Sequence, residues 1–271
     1  MNKWKLDSIN GLESVMKTFF LTGFVGKYLV DHAEQLSEPV KITWIVVSFV
    51  IVSVCAYLLG SMNFAIIISG RQYKQDIRSF GSKNAGMTNM MRTYGKKAAG
   101  MTLLGDALKA VVSCLIGYAL IGQYGAYIAG LFCILGHVFP VYYRFKGGKG
   151  VVTAAITILM CNPFVFLILF AIFVIIVLCT KYISLGSVMC MLLYPIVLDR
   201  VERSRLFTDN PPPASPYILF AMLMTLLIVF KHWENIKRLL HGKENKFSFK
   251  KSVKTPADAS AEEQDPSDKE A

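Results

Sequence analysis

The sequence predicts an all-α integral membrane protein, a bundle of about seven transmembrane helices with five as the lower bound. Three observations predict it. Of 271 residues, 54% are hydrophobic and only 17% charged, where a soluble domain carries about a quarter charged. The mean hydropathy is positive, +0.47. The apolar residues fall in long runs nearly free of charge, and about 20 such residues suffice to cross the hydrocarbon core as a helix. This composition argues against a soluble enzyme, a disordered chain or a disulfide scaffold. Cys55, Cys114, Cys133, Cys161, Cys179 and Cys190 all lie inside apolar runs with no CxxC and no Cys/His cluster. They read as small buried hydrophobes, not as metal ligands or disulfides.

Taken in order, residues 1–41 form an amphipathic extension. Ile9, Leu12, Met16, Phe19 and Phe20 recur at helical spacing, which suits a helix lying on a membrane surface. The membrane domain covers 42–247. Its first apolar run is Ile42 to Ser69, interrupted by Gly60, Ser61, Met62 and Asn63 but by no charge. Met101 to Gly122 and Tyr124 to Tyr143 follow, separated by a tight turn at Gln123. Val151 to Cys179 holds Asn162-Pro163 at its middle, where proline bends or breaks a helix. Seven spans are favoured, with two short ones flanking that break. Ser184 to Leu198 and Tyr217 to Phe230 complete the set. Residues 248–271 run from basic to acidic, and Thr255 to Ala271 has the composition of a disordered tail.

The charge distribution tests this topology. The formal net charge is +11, and the acidic tail masks a larger positive excess elsewhere. Lys and Arg concentrate in 71–97, in Arg144 to Lys149, at Lys181 and in Lys231 to Lys254. With seven spans all four segments fall on one side, and the turns near Gly122 and Asn162 carry no charge. By the positive-inside rule the first span starts outside and the C-terminus is cytoplasmic.

The basic segments are also chemically distinctive. In the first, Gly81 and Gly86 alternate with Ser82, Asn84, Thr88 and Asn89, flanked by Arg78 and Arg92. Glycine lets backbone N–H groups approach a ligand, small polar side chains add directed donors, and arginine adds a bidentate fork for phosphate. In the second, Lys146, Gly147, Gly148, Lys149 and Gly150 open an apolar helix. A Gly-rich turn at a helix N-terminus presents free N–H groups and the positive end of the dipole to an anion. Neither a Walker A motif nor a GxGxxG is present. Asp106 and Lys109 form an i,i+3 pair within a span, a candidate functional or structural ion pair. His137 and His232 stand beside the basic segments, and Asn235 shares a helical face with His232. Tyr182, Ser184 and Ser187 form a weaker fourth cluster.

Together these motifs resemble those of the bacterial acyl-phosphate:glycerol-3-phosphate acyltransferase family. Gly60-Ser61, Asp76 to Arg78, Gly81 to Asn89 and Arg92 resemble its first motif, and Gly105 to Lys109 its Asp-x-Leu-Lys element. Gly136 to Pro140 with Phe145 to Val151 and Thr153 is similar to its most distinctive stretch. His232 to Leu240 with Gly242 and Glu244 is similar to its C-terminal motif. Lys83, Ala110 and Trp233 stand where the family commonly has Gly, Gly and Arg.

The resemblance implies a seven-helix fold with an active-site groove on the cytoplasmic side of the bacterial plasma membrane. It implies acyl transfer from acyl phosphate to the 1-hydroxyl of sn-glycerol 3-phosphate, yielding 1-acylglycerol 3-phosphate (lysophosphatidic acid) and phosphate. No metal, organic cofactor or nucleic-acid partner is implied; membrane lipid is. Ser82, Arg92, Lys149 and His232 would be catalytic. Asn84, Thr88, Asn89, Lys109, His137, Lys146, Gly147, Gly148, Gly150 and Asn235 would bind the phosphates. The general base is either His232 or a substrate phosphate oxygen. No histidine is followed five positions later by aspartate, the spacing of the acyl-CoA and acyl-carrier-protein class. The competing reading is a transporter of phosphate esters or other anions, since basic loops and broken helices also fit that class.

Overall fold

The computed structural model describes residues 23–32, 35–204, 215 and 217–248. The surface-helix expectation for Ile9 to Phe20 and the acidic tail lie outside the described residues. Within them the chain is helical: α1 Phe24–Asp31, α2 Glu38–Ser61, α3 Phe64–Tyr73, α4 Met87–Tyr94, α5 Lys96–Val138, α6 Val151–Cys161, α7 Pro163–Thr180, α8 Ile183–Glu202, α9 Ile218–Lys231 and α10 Trp233–Leu240. No strand occurs among the described residues.

The breaks follow from local chemistry. Between α2 and α3 the backbone at Met62 and Asn63 is extended, and the Asn63 carboxamide caps α3 by accepting from Ile66 N at 3.2 Å. The expected run Ile42 to Ser69 is therefore two helices. Asn162 is also extended (φ −150°) and caps α7 by accepting from Val165 N at 3.1 Å, with Pro163 in the first turn, where its missing N–H costs nothing. Of the two short helices expected here, only α6 is short (11 residues); α7 has 18.

α5 reverses direction within its length. Ile121 and Gly122 leave helical geometry, Gly122 at φ +62°, a conformation glycine adopts without strain. The arms 96–120 and 123–138 fold back on each other. A Cβ on Gly117 would overlap the Gly125 carbonyl, and the reverse also holds, so the glycines let the two backbones touch. A straight helix would place Lys109 and His137 about 42 Å apart; their side chains meet at 2.8 Å.

Among the described residues four helical stretches are long and apolar enough to span a membrane, five if α9 and α10, bent by 59°, are taken together. That is the low end of the expected five to seven, because α6 and α9 are short and the α5 run counts once despite its turn. The exposed surface is what a bilayer requires. On α7, Leu167, Ile175 and Leu178 are 59%, 62% and 72% exposed. On α2 the arrangement is inverted, with Ser48, Ser53, Ala56 and Gly60 inward and Val46, Val50 and Val54 outward. Small and polar residues at helix contacts with large apolar residues facing out mark a membrane bundle. The inner core joins the second arm of α5 to α6–α9 through Tyr127, Ile134, Ile158, Tyr194 and Met224.

The two ends of the bundle differ. At one end all four basic segments are tied together: Arg78 donates to Lys146 O at 3.0 Å, Lys149 to the Asn235 carboxamide, and Phe247 N to Lys181 O at 2.7 Å. At the other end lie the charge-poor turns, where Gln123 donates to Cys161 O at 2.6 Å and Asn162 to Glu202 at 2.9 Å. There Gly23, which leads into α1, packs against the Gly122 turn.

Candidate active site

The site is built where α6 begins. The chain leaves α5 at Val138, makes a 3₁₀ turn over Val141–Tyr143 and returns through Lys146 to Gly150. Gly148 N donates to His137 O at 3.1 Å, closing this loop on the helix it left. A Cβ on Gly147 would overlap His137 O, and one on Gly148 would overlap His137 Nε2 and Ala85 O. Gly150, at φ +77°, is the left-handed turn into α6. The three glycines are thus required by close approach and backbone hand, and Gly148 is where the two Gly-rich loops touch.

The facing loop is organised by Asn89, which is 1% exposed. Its carboxamide accepts from Ser82 N at 2.9 Å and donates to Ile77, Phe80 and Asn84 carbonyls at 3.0–3.2 Å. Asn63 ties the same loop to α3 by donating to Ala85 O at 3.3 Å. Arg78 joins the two loops, donating to Tyr143 O at 3.1 Å and Lys146 O at 3.0 Å while pairing with Asp76 at 2.7 Å.

The polar centre is contributed by Lys149 and the C-terminal segment. Lys149 donates to Asn235 Oδ1. Asn235 Nδ2 donates to Glu244 Oε1 at 2.7 Å, Ser184 Oγ to the same oxygen at 2.8 Å, and Arg238 Nε to Glu244 Oε2 at 2.8 Å. Burial raises the Glu244 carboxyl, but the hydrogen bonds from Arg238, Asn235 and Ser184 prevail and hold it low. Arg92 lies within the electrostatic reach of both Glu244 and Arg238, and its own burial lowers its pKa. Lys149 is pushed down to about 8, chiefly by burial, with Glu244 opposing and Arg238, Arg92 and Lys231 adding repulsion. One carboxylate therefore serves three cations, Arg92, Lys149 and Arg238, and with Lys231 close to Lys149 the centre is short of negative charge. His232, the cap beyond the end of α9, is 2% exposed with Nδ1 2.8 Å from Ile228 O. A carbonyl only accepts, so Nδ1 carries the proton and Nε2 the lone pair. Burial, then Lys149, lowers its pKa to about 4.

The expected site residues divide into three groups. Arg92, Lys149, His232 and Asn235 converge on one electropositive centre. Ser82 and Asn84 lie on the facing loop, Ser82 exposed, Thr88 lies in the first turn of α4 that follows it, and Lys146 is exposed on the outer lip. The third group has polar atoms engaged inside the protein. Lys109 Nζ has three protons and three acceptors, Gly60 O and Met62 O at 2.9 Å and His137 Nδ1 at 2.8 Å, and it also meets the Asp106 carboxylate at 2.8 Å. It has no proton left for a phosphate. His137 and Asn89 are likewise buried in internal contacts. These three position the loops.

Sequence reasoning missed Glu244 and Arg238 as organising residues and Arg78 with Asp76 as the splint. The signal for Glu244 was an acid, one of two with Glu234, in a strongly basic segment nine positions after Asn235.

A membrane helix bundle with a Gly-rich, electropositive centre at one end defines an integral membrane protein equipped to hold an anion. The chain belongs to the glycerol-3-phosphate acyltransferase family, whose model matches residues 50–242. It is 41% identical over 201 residues to a glycerol-3-phosphate acyltransferase of Finegoldia magna, covering 73% of this chain and 95% of that protein. It is 38% identical over 210 residues to one of Clostridioides difficile, covering 75% and 98%. Among solved structures it resembles PlsY (YgiH), an integral membrane glycerol 3-phosphate acyltransferase. The glycerol 3-phosphate form matches with TM-score 0.63 at 33% identity, covering 74% of this chain and 96% of that one. The lysophosphatidic acid form matches with TM-score 0.60 at 32% identity over the same shares. The protein is an integral membrane acyltransferase. Family membership decides against the transporter reading.

Proposed function

We propose that the domain 42–247 transfers a fatty acyl group from acyl phosphate to the 1-hydroxyl of sn-glycerol 3-phosphate, releasing 1-acylglycerol 3-phosphate and inorganic phosphate. The two PlsY forms, with glycerol 3-phosphate and with lysophosphatidic acid, support this acceptor and product. The observation that carries the reading is Lys149, held by Asn235 at the start of α6 in a centre with more cations than acids. Such a centre has capacity for an anion that the protein itself does not supply.

Acyl phosphate is an activated mixed anhydride, so no covalent enzyme intermediate is needed. The hydroxyl oxygen attacks the acyl carbon, a C–O bond forms, and the bond from that carbon to the phosphate oxygen breaks. Holding both reactants in line converts an encounter into an effectively unimolecular step. The Gly147–Gly150 loop cradles one phosphate, Ser82, Asn84, Thr88 and Arg92 line the facing wall, and His232 with Asn235 orients glycerol 3-phosphate. Lys149 and the loop N–H groups stabilise the oxyanion, an effect of about 3–4 kcal/mol per preorganised donor. With His232 held near 4, a phosphate oxygen is the stronger base at neutral pH. The hydroxyl proton therefore passes to a substrate phosphate, and Nε2 of His232 serves as an orienting acceptor.

The orientation that fits has the basic end in the cytoplasm of a bacterium and the protein in its plasma membrane, N-terminus outside and C-terminus inside. The contacts that gather all four basic segments at one end support this placement. The test is purified protein in detergent given acyl phosphate and glycerol 3-phosphate, with released phosphate measured. Release at the blank rate rejects the reading.

A further inference from the structure

Beside the loop that carries Lys149 lies a groove of about 410 Å³ between the 76–83 loop and the 143–147 turn. Its one acid, Asp76, is committed to Arg78 through both carboxylate oxygens. The Nη1 of Arg78 is committed to the Tyr143 and Lys146 carbonyls. This ion pair therefore fixes the two walls and adds no net charge. Three further cations line the groove, Lys83, Arg144 and Lys146. All three are exposed, and no ion pair to them occurs among the described residues.

Two of these cations sit on left-handed backbone. Lys83 and Arg144 have φ of +58° and +55°. Side-chain-bearing L-residues are disfavoured there, and glycine is the unstrained choice. Both positions instead carry long cations aimed at one groove. Phe145 (φ +58°), Lys74 and Lys181 share this backbone hand away from the groove lining, so what distinguishes Lys83 and Arg144 is that both line the groove with positive charge. Gly147 also lines this groove and leads directly into the loop that carries Lys149.

We propose that this groove is an outer docking site for a phosphate monoester or diester anion, one loop away from the catalytic centre. It recognises phosphate through Lys83, Arg144 and Lys146. The anion is either the phosphate of a water-soluble substrate on its way to Lys149 or the headgroup of an anionic phospholipid. The proposal rests on the acyltransferase reading for its kinetic test but not for its binding test.

The experiment uses the full chain and the double variant Lys83→Gly/Arg144→Gly, which removes two charges while relaxing the strained backbone. Both proteins are studied in neutral detergent, in phosphatidylcholine nanodiscs and in nanodiscs containing phosphatidylglycerol. The expected result is an unchanged or higher Tm without ligand, unchanged kcat, and a KM for glycerol 3-phosphate raised roughly threefold or more at low ionic strength. The difference shrinks at high salt, as exposed charges are screened. A KM effect in all three settings identifies capture of the soluble phosphate. An effect confined to phosphatidylglycerol nanodiscs identifies the lipid headgroup. Equal KM and equal salt dependence in every setting overturn the proposal. Should wild type release no phosphate at all, the acyltransferase reading fails. The groove is then judged by inorganic phosphate alone: a smaller phosphate-induced rise in Tm in the variant supports it, and identical rises overturn it.

Discussion

Lys109 Nζ lies 2.8 Å from His137 Nδ1, and Asp106 meets the same ammonium at 2.8 Å. The three residues are fully enclosed between α2 and the two arms of α5. Lys109 also holds the Gly60 and Met62 carbonyls freed where α2 ends, and His137 underlies Gly148. Removing one member leaves a buried charge uncompensated, which costs about 3–5 kcal/mol. Lys109→Met is expected to lower the unfolding temperature in detergent sharply, and Lys109→Met/Asp106→Leu to recover part of the loss. Equal stability of Lys109→Met and wild type would show that the triad is not structural.

Gly148 tests the loop contact. An added methyl meets His137 Nε2 and Ala85 O, whereas one on Gly70 or Gly100 meets nothing within 4 Å. Gly148→Ala is expected to reduce turnover at least tenfold, about 1.4 kcal/mol or more of lost transition-state stabilisation. Gly70→Ala and Gly100→Ala should stay within about twofold. The check is initial rates on matched, folded preparations.

Asn235 links Lys149 to Glu244. Asn235→Ala frees the Lys149 ammonium and removes one of the hydrogen bonds that hold Glu244 ionised. Turnover is expected to fall at least roughly tenfold, as for loss of a preorganised donor. Asn235→Asp, which places a carboxylate against Lys149, should be at least as damaging because it neutralises the anion site. A wild-type rate from Asn235→Ala removes the linkage from the account.

The lowered Lys149 pKa gives a signed pH prediction. With a value of about 8, the ammonium is charged below that pH and neutral above it. The free-enzyme parameter kcat/KM is expected to fall as pH rises through about 8. Substrate phosphates titrate well below this, near 6, so they do not produce that limb. In Lys149→Arg, which stays charged, the alkaline limb should vanish even if the rate is lower. Stability moves the other way. Between about 8 and 10.5 the unfolded chain holds a proton the folded chain has lost, so stability rises with pH across that window.

Much of this was legible in the sequence because bilayer helices announce themselves by length and charge. The turn at Gly122, the break at Asn162 and the four basic segments each follow from a single strong local signal. Lys149 stood out because a Gly-Lys turn at a helix start suits an anion and Arg92 because it flanks a Gly-rich polar loop, whereas His232 and Asn235 entered the candidate set through the family resemblance. What the sequence concealed is how internal partners use up a charge. Lys109 and Asn89 have the residue types of phosphate ligands, yet their donors are taken by backbone carbonyls that local spacing does not reveal. Glu244 was concealed for the opposite reason. Its weight comes from Ser184, Asn235 and Arg238 meeting at one carboxylate, across 60 residues of chain.

The most direct test of the central claim is a stoichiometric one. Purified wild-type protein and Lys149→Ala are each given acyl phosphate with and without glycerol 3-phosphate, and phosphate and lysophosphatidic acid are quantified together. The account predicts one phosphate per lysophosphatidic acid, strict dependence on glycerol 3-phosphate, and a loss of at least roughly tenfold in Lys149→Ala. Phosphate release indifferent to glycerol 3-phosphate, or a wild-type rate from Lys149→Ala, would contradict it.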